Sequence, residues 1–222
     1  MMKKKEHAFR DLRNDFRTYE PLLKQAAASE FLMEQICTYE KMQELGYAGF
    51  YMMEGQCRLM ISGPGGAEKI SAVLKRGSFL QLYSRSMLSR ANRYFYIEPY
   101  PAVRMLAFDE TAFMNLLRLE PELALKLLQF YENLSASLLC DLRDALFCDG
   151  KKRVCNLLYD MSQAEGVDTI RISQEKISMY VGLERSNVAR CLKQLKLEGM
   201  IETGRGYVKI VDAGGLEELV NR

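Results

Sequence analysis

Residues 172–201 read ISQEKISMYVGLERSNVARCLKQLKLEGMI, two short amphipathic segments around one glycine. Ser173 is placed to cap the first segment, its hydroxyl accepting from a free backbone N–H, and Glu175 complements the positive end of a helix. Ile177 and Val181 form the apolar side of that segment, and Gly182 supplies the turn. In the second segment Val188, Leu192 and Leu195 recur at i, i+4 and i+7, the spacing of a buried stripe. Ser186, Asn187, Arg190 and Lys193 fall on the opposite side, with Arg185 at the leading end. This is the layout of a helix-turn-helix, whose second helix enters the major groove of DNA amino-terminus first.

The residue types suit that task. Arginine fits the two acceptors on the guanine edge, asparagine can pair with adenine, and Lys193 or Lys196 suits phosphate. Ser173 and Gln174 stand at the leading end of the first helix. Beyond Gly199, MIETGRGYVKIV (200–211) reads as a strand, a Gly204–Arg205–Gly206 turn and a second strand. A basic hairpin there, carrying Arg205 and Tyr207, would be a wing resting on the DNA backbone. The charge follows the motif: residues 151–210 hold 11 Lys and Arg against 7 Asp and Glu, a net +4, in a chain whose total is +2. A polar helix face alone is equally consistent with a solvated surface. Cap, turn, buried stripe, polar tip and basic hairpin, in that order, favour a DNA-facing module.

Working outward, 222 residues with 48% hydrophobic and 27% charged content match a folded chain of two modest domains rather than a disordered one. The opening MMKKKEHAFRDLRNDF has basic residues but no apolar run behind them, so no secretory signal is expected. No run of apolar residues is long enough for a membrane span. Six cysteines, scattered singly, are expected as free thiols in a reducing cytoplasm. Residues 6–34 read as helical, with Phe9, Leu12 and Phe16 on one side. From Ile36 to Ala107 the pattern alternates, in GFYMMEGQCRLMI (49–61) and AEKISAVLKRGSF (67–79), with turns at Glu54–Gly55 and around GPGG (63–66). RYFYIEP (93–99) and AVRMLAF (102–108) continue it, broken by Pro99 and Pro101. Short strands at this spacing predict a small β-roll, jelly-roll-like, with flanking helices.

From Asp109 the period becomes helical, and Pro121 fits a first turn. Leu123, Leu127, Phe130, Leu134, Leu138, Leu142 and Ala145 then make a stripe at spacings of 3 and 4. Such a stripe packs either on its own domain or in a dimer coiled coil; we expect the dimer, because the stripe follows a complete β-domain. Asp149–Gly150 marks a hinge. The expected fold is therefore α+β: a β-roll domain over 1–120, a long dimerisation helix over 121–148 and a winged helix-turn-helix over 149–222.

With these motifs in view, the chain resembles the Crp/Fnr family of bacterial transcription regulators. The resemblance rests on ISQEKISMYVGLERSNVARCLKQLKLEGMI followed by RGYVKIVDAGGLEEL, and on FYMMEGQCRLMI with GGAEKISAVLKRGSF, and it covers nearly the whole chain. It implies a cytoplasmic homodimer joined through the long helix, with two recognition helices about 34 Å apart on a two-fold symmetric operator. Double-stranded DNA is then the principal partner, and activation would add a surface for RNA polymerase. The family's usual Arg-Glu-x-Val-x-Arg is here Arg185-Ser186-Asn187-Val188-Ala189-Arg190, so both arginines match and Ser186 replaces the glutamate. An operator with altered bases at that contact is expected.

The sensor side departs further. Family members that bind cyclic AMP carry Gly-Glu after the Gly-x-Phe turn and an Arg-Ser pair downstream. Here Gln81-Leu82 and Asn92-Arg93 stand in those places. Leu82 cannot accept from a ribose hydroxyl, so cyclic AMP is not the expected ligand. Leu82, Arg85, Arg90 and Arg93 remain the candidate effector pocket, its arginines being either an anion site or a solvated surface. No cysteine precedes Cys37 and the sole histidine is His7, so neither an iron–sulfur cluster nor haem is expected, and no metal site or cofactor is assigned. Cys140, Cys148 and Cys191 leave thiol redox sensing as an alternative to simple burial. The absence of a second histidine, of metal-ligand spacing and of a phosphate loop argues against an enzyme. An effector-gated sensor of a small molecule, an anion or thiol redox state is the alternative to a regulator that binds DNA without a ligand.

Overall fold

A computed structural model of the chain describes residues 15–81 and 94–221. They form two compact units, one of the described residues up to Gly66 with Ile70–Leu134, the other of Ser135 onward with Ala67–Lys69. The class is the expected α+β, with an antiparallel β-roll followed by a helix-rich C-terminal part.

In chain order the first unit uses α1 (Glu20–Ala26), β1 (Ser29–Met33), β2 (Cys37–Thr38), α2 (Tyr39–Glu44), β3 (Tyr47–Ser62), β4 (Glu68–Lys75), β5 (Phe79–Gln81), β6 (Phe95–Asp109), α3 (Glu110–Leu119) and the start of α4 (Pro121–Phe147). The sheet runs β1-β6-β3-β4, with β2 also on β6 and β5 on β3. Its spine is the antiparallel β3–β6 ladder, which pairs Tyr51 with Leu106 and Leu59 with Ile97. The ladder slips at Gly55, whose φ is +83°. A Cβ there would run into the Ala102 carbonyl oxygen, so only glycine lets the two backbones approach.

Both faces of this sheet are covered. Alternation along β3 sends Phe50 and Met52 into one core with Met33, Met42, Leu74 and Met105, and Tyr51 into the other. In the second core Phe79 lies 5.4 Å from Phe113, stacked, and 5.5 Å from Phe108. The buried Tyr51 hydroxyl donates to Glu20 Oε2 at 2.8 Å, so burial leaves no orphan there. Asp109 caps α3, its side chain accepting from the Ala112 N–H at 2.7 Å. Leu123, Leu127, Phe130 and Leu134 of α4 fill this same core.

The local pattern differs from the sequence expectation in four places here. Glu54–Gly55, expected as a turn between strands, is a bulge inside the unbroken β3, because β6 pairs with the residues on both sides of it. Residues 29–33 form a strand, not the end of a helix, because β6 offers them a free edge from Val103 to Ala107. Within the region read as strands, α2 is a short helix: Thr38 Oγ1 accepts from the Lys41 N–H at 3.2 Å, and Tyr39 and Met42, three apart, are buried. Strand β6 runs unbroken through Pro99 and Pro101. These prolines fall between the stretch paired with β2 and the stretch paired with β1, where, among the described residues, that edge of the strand has no partner to receive an N–H.

The second unit contains α5 (Gly150–Glu165), β7 (Thr169–Ile170), α6 (Gln174–Val181), α7 (Arg185–Leu197), β8 (Ile201–Gly204), β9 (Tyr207–Ile210) and α8 (Ala213–Asn221). A three-stranded antiparallel sheet, β7-β9-β8, closes it. Its core draws Val154, Leu158 and Met161 from α5, Ile177 from α6, Val188, Leu192 and Leu195 from α7, Val208 from β9 and Leu216 from α8.

The junction of α4 and α5 is tied by side chains. Arg153 Nε donates to the Cys148 carbonyl at 3.1 Å and Arg153 Nη2 to the Ala145 carbonyl at 2.9 Å. These are carbonyls at the end of α4 that have no partner within their own helix. Asp149 caps α5 from the Lys152 N–H at 2.8 Å. Asp144 accepts from Asn156 Nδ2 at 3.0 Å and from Arg143 Nη2 at 2.8 Å. Burial pushes the Asp144 carboxyl up, but the hydrogen bonds from Asn156 and Arg143 outweigh it and hold it below the usual carboxylate range.

Candidate nucleic-acid interface

The helix pair forms for local reasons visible residue by residue. Ser173 Oγ accepts from the Lys176 N–H at 3.1 Å, the N-cap of α6, and Glu175 sits in the positive first turn. Gly182 takes φ +67° at the C-cap, its N–H bonded to the Ser178 carbonyl at 2.9 Å, and this left-handed residue turns the chain toward α7. Val188, Leu192 and Leu195 are at most 2% exposed, so one side of α7 is fully committed to the core. That commitment sets which residues face out: Arg185, Ser186, Arg190, Lys193 and Lys196 are exposed and Asn187 is half-buried.

The hairpin β8–β9 obeys the same logic with period two. Ile201, Val208 and Ile210 point inward, while Tyr207 and Lys209 point out, with Gly204 opposite Tyr207 across the ladder. Arg205 and Gly206 make the tip, Gly206 at φ +78°. The Tyr207 ring lies across the Cα of Gly204, where a Cβ would collide with it.

Between the start of α6, the start of α7 and the hairpin lies an open cleft of about 320 Å³. Ser173, Gln174, Arg185, Arg205 and Tyr207, five of the residues the sequence singles out for DNA, line it together. Glu175 and Thr203 join them. Arg190, Lys193 and Lys196 lie along α7 outside this cleft. Its lining residues include two arginines and a tyrosine, side chains whose donors suit phosphate oxygens, beside the carboxylate of Glu175. On α7 itself, Arg190 Nη2 donates to Asn187 Oδ1 at 2.8 Å.

Thr203 and Gly204 carried no sequence signal for this site, because a threonine and a glycine in a hairpin suggest only strand and turn. Helix α5 and its Arg153 are likewise absent from the sequence reading, although Val154, Leu158 and Met161 repeat at helical spacing. The candidate effector residues Leu82, Arg85, Arg90 and Arg93, and His7, lie outside the described residues. Burial pushes the Cys57 and Cys155 thiols up to about 12 and raises those of Cys37, Cys148 and Cys191, which keeps these five protonated at neutral pH. Cys140 is exposed on α4. No helix among the described residues is long and apolar enough to cross a membrane.

Residues 152–219 match the family model described as a Crp-like helix-turn-helix domain. The chain is 26% identical over 183 residues to a cyclic AMP receptor protein of Thermus thermophilus, covering 79% of this chain and 81% of that one. It is 27% identical over 136 residues to a protein of Lacticaseibacillus casei named as a probable transcriptional regulator, flp, covering 60% and 61% of the two chains. Among solved structures, a CooA mutant from Carboxydothermus hydrogenoformans superposes with a TM-score of 0.76 at 17% identity, over 93% of this chain and 95% of that one, a likeness of fold.

Proposed function

We propose that this chain, a transcription regulator of the Crp/Fnr family, works in the cytoplasm as a homodimer that reads a two-fold symmetric DNA operator and catalyses no reaction. The observation that carries the reading is the outward face of α7 beside a cleft where Ser173, Gln174, Arg185, Arg205 and Tyr207 converge. In this reading α7 lies in the major groove, Arg185 and Arg190 meet base edges, and the cleft, Lys193 and Lys196 hold phosphates.

Support for the homodimer comes from α4. Leu123, Leu127, Phe130 and Leu134 are covered by the chain's own core, so these four do not face a partner. Leu125, Leu128, Leu139, Leu142 and Leu146 are each more than half exposed. With Glu132 and Ser135 at the intervening positions, they follow one another at alternating steps of 3 and 4 residues, the seam of a coiled coil. A second copy meeting that seam would bury five leucines now in water. Of the stripe that runs from Leu123 to Ala145, Leu142 lies in this seam and Leu138 flanks it.

Support for a sensor without cyclic AMP is the Gln81-Leu82 pair, which offers no carboxylate to a ribose hydroxyl. No cofactor is assigned, and the effector, if the chain takes one, belongs with Leu82, Arg85, Arg90 and Arg93. The test is selection of bound duplexes from a random DNA pool by purified, ligand-free protein, alongside calorimetric titration with cyclic AMP. A two-fold symmetric motif and no binding heat are expected. Enrichment appearing only after an added metabolite would make the chain an effector-gated sensor instead, and no enrichment under any condition would overturn operator reading.

A further inference from the structure

We infer that Asn187 is a positioning residue for Arg190: it reads no base itself, and it aims the Arg190 guanidinium at a guanine in each operator half-site. The inference rests on the operator-reading function proposed above and assigns a division of labour within it. Asn187 and Arg190 are three residues apart on α7, hence neighbours on one face. Arg190 Nη2 donates to Asn187 Oδ1 at 2.8 Å. The orientation of the amide is fixed by chemistry, because a guanidinium only donates and the oxygen must therefore face it.

Reading adenine would demand that oxygen for another purpose. An asparagine recognises adenine by accepting from N6 through Oδ1 while donating to N7 through Nδ2. In this chain Oδ1 is turned to Arg190, and half-burial of Asn187 beside the buried Val188 and Cys191 limits its reach from the helix. Arg190, by contrast, is exposed, and no carboxylate among the described residues forms an ion pair with it. After the bond to Asn187 the guanidinium keeps four of its five N–H donors, so one on Nη1 and one on Nη2 are available as the pair needed for guanine O6 and N7. Holding one end of a long, rotatable side chain lowers the entropy lost when the other end binds.

The experiment compares full-length wild type with Asn187→Ala, Asn187→Asp, Arg190→Ala and the Asn187→Ala/Arg190→Ala double variant. Each is measured against the selected operator and against duplexes changed, symmetrically, at one half-site position at a time. Melting curves confirm that each variant is folded. For Asn187→Ala we expect roughly tenfold loss of guanine preference at the position Arg190 reads, with preferences elsewhere unchanged. Asn187→Asp retains the acceptor and should keep that preference, and Asn187→Ala should cost nothing further once Arg190 is gone. Loss of an adenine preference at a different position, additive with Arg190→Ala, would overturn the inference while leaving operator reading intact. A wild-type protein with no base preference at all would overturn the operator-reading function and the role of Asn187 with it.

Discussion

Arg190, Lys193, Lys196 and Arg205 are all exposed cations of the C-terminal unit, yet they are expected to fail differently when removed. Arg190→Ala should relax sequence preference at one position, at a cost of about 1–3 kcal/mol for the cognate base. Alanine at Lys193, Lys196 or Arg205 should weaken binding to every sequence alike and reduce the slope of log affinity against log salt by about one each. Binding isotherms at several salt concentrations on cognate and scrambled duplexes separate the two behaviours. Gly204 offers a sharper test of the hairpin. Because the exposed Tyr207 ring occupies the space of a Cβ, Gly204→Ala has to turn that ring aside, at a cost of about 0.5–1 kcal/mol of stability. In a Tyr207→Ala background the same change should be neutral or better, since alanine suits a strand more than glycine does. Thermal denaturation of the four members of that cycle decides it.

At the scale of elements, the α4–α5 junction is held by few groups that each do more than one thing. Arg153 closes the open carbonyls of α4 while belonging to α5, and Asp144 gathers Asn156 and Arg143. The acid sensitivity of that junction has a definite sign. A carboxyl whose folded value lies below its unfolded value stabilises the fold above the unfolded value, and the contribution is lost as pH falls through the folded one. Asp144 is such a group. Stability should therefore fall as pH drops below about 4, and Asp144→Asn should flatten that part of the profile, because asparagine cannot titrate. Chemical denaturation at a series of acid pH values reads this directly. A profile unchanged by the substitution would mean that other carboxylates set the acid limb.

For the whole molecule, the question is which face of α4 belongs to the chain and which to a partner. Leu127 lies in the β-roll core, and Leu127→Ala should lower folding stability by about 2–5 kcal/mol through the cavity it leaves. Leu139 is on the exposed seam. If the proposed homodimer forms through this seam, Leu139→Glu should leave the core intact, split the pair and remove the concentration dependence of the melting temperature. Sedimentation velocity of both variants provides the check: Leu127→Ala should sediment as wild type, and Leu139→Glu as half its mass. A wild-type protein that sediments as a monomer at every concentration would refute the homodimer.

The helix-turn-helix was legible in residues 172–201 because its determinants are local. A serine cap, a left-handed glycine and a stripe at i, i+4 and i+7 act within a few residues of one another, and each is met in the structure. The alternation along β3 and the polar set on α7 were readable for the same reason. What sequence could not decide was set by pairing across distance. Residues 29–33 are a strand because β6 is beside them, and β6 passes through two prolines because, among the described residues, one of its edges has no partner strand there. The α4 stripe was visible as a stripe, but two apolar faces wind around that helix, and periodicity cannot say which one the chain itself will cover. Only the packing of Leu123, Leu127, Phe130 and Leu134 against Phe79, Phe108 and Phe113 assigns one face to the core and leaves the other in water. Likewise, Ser173, Arg185 and Arg205 are far apart in sequence. They share one cleft because hydrophobic burial of α6, α7 and the hairpin brings their polar edges to the same side.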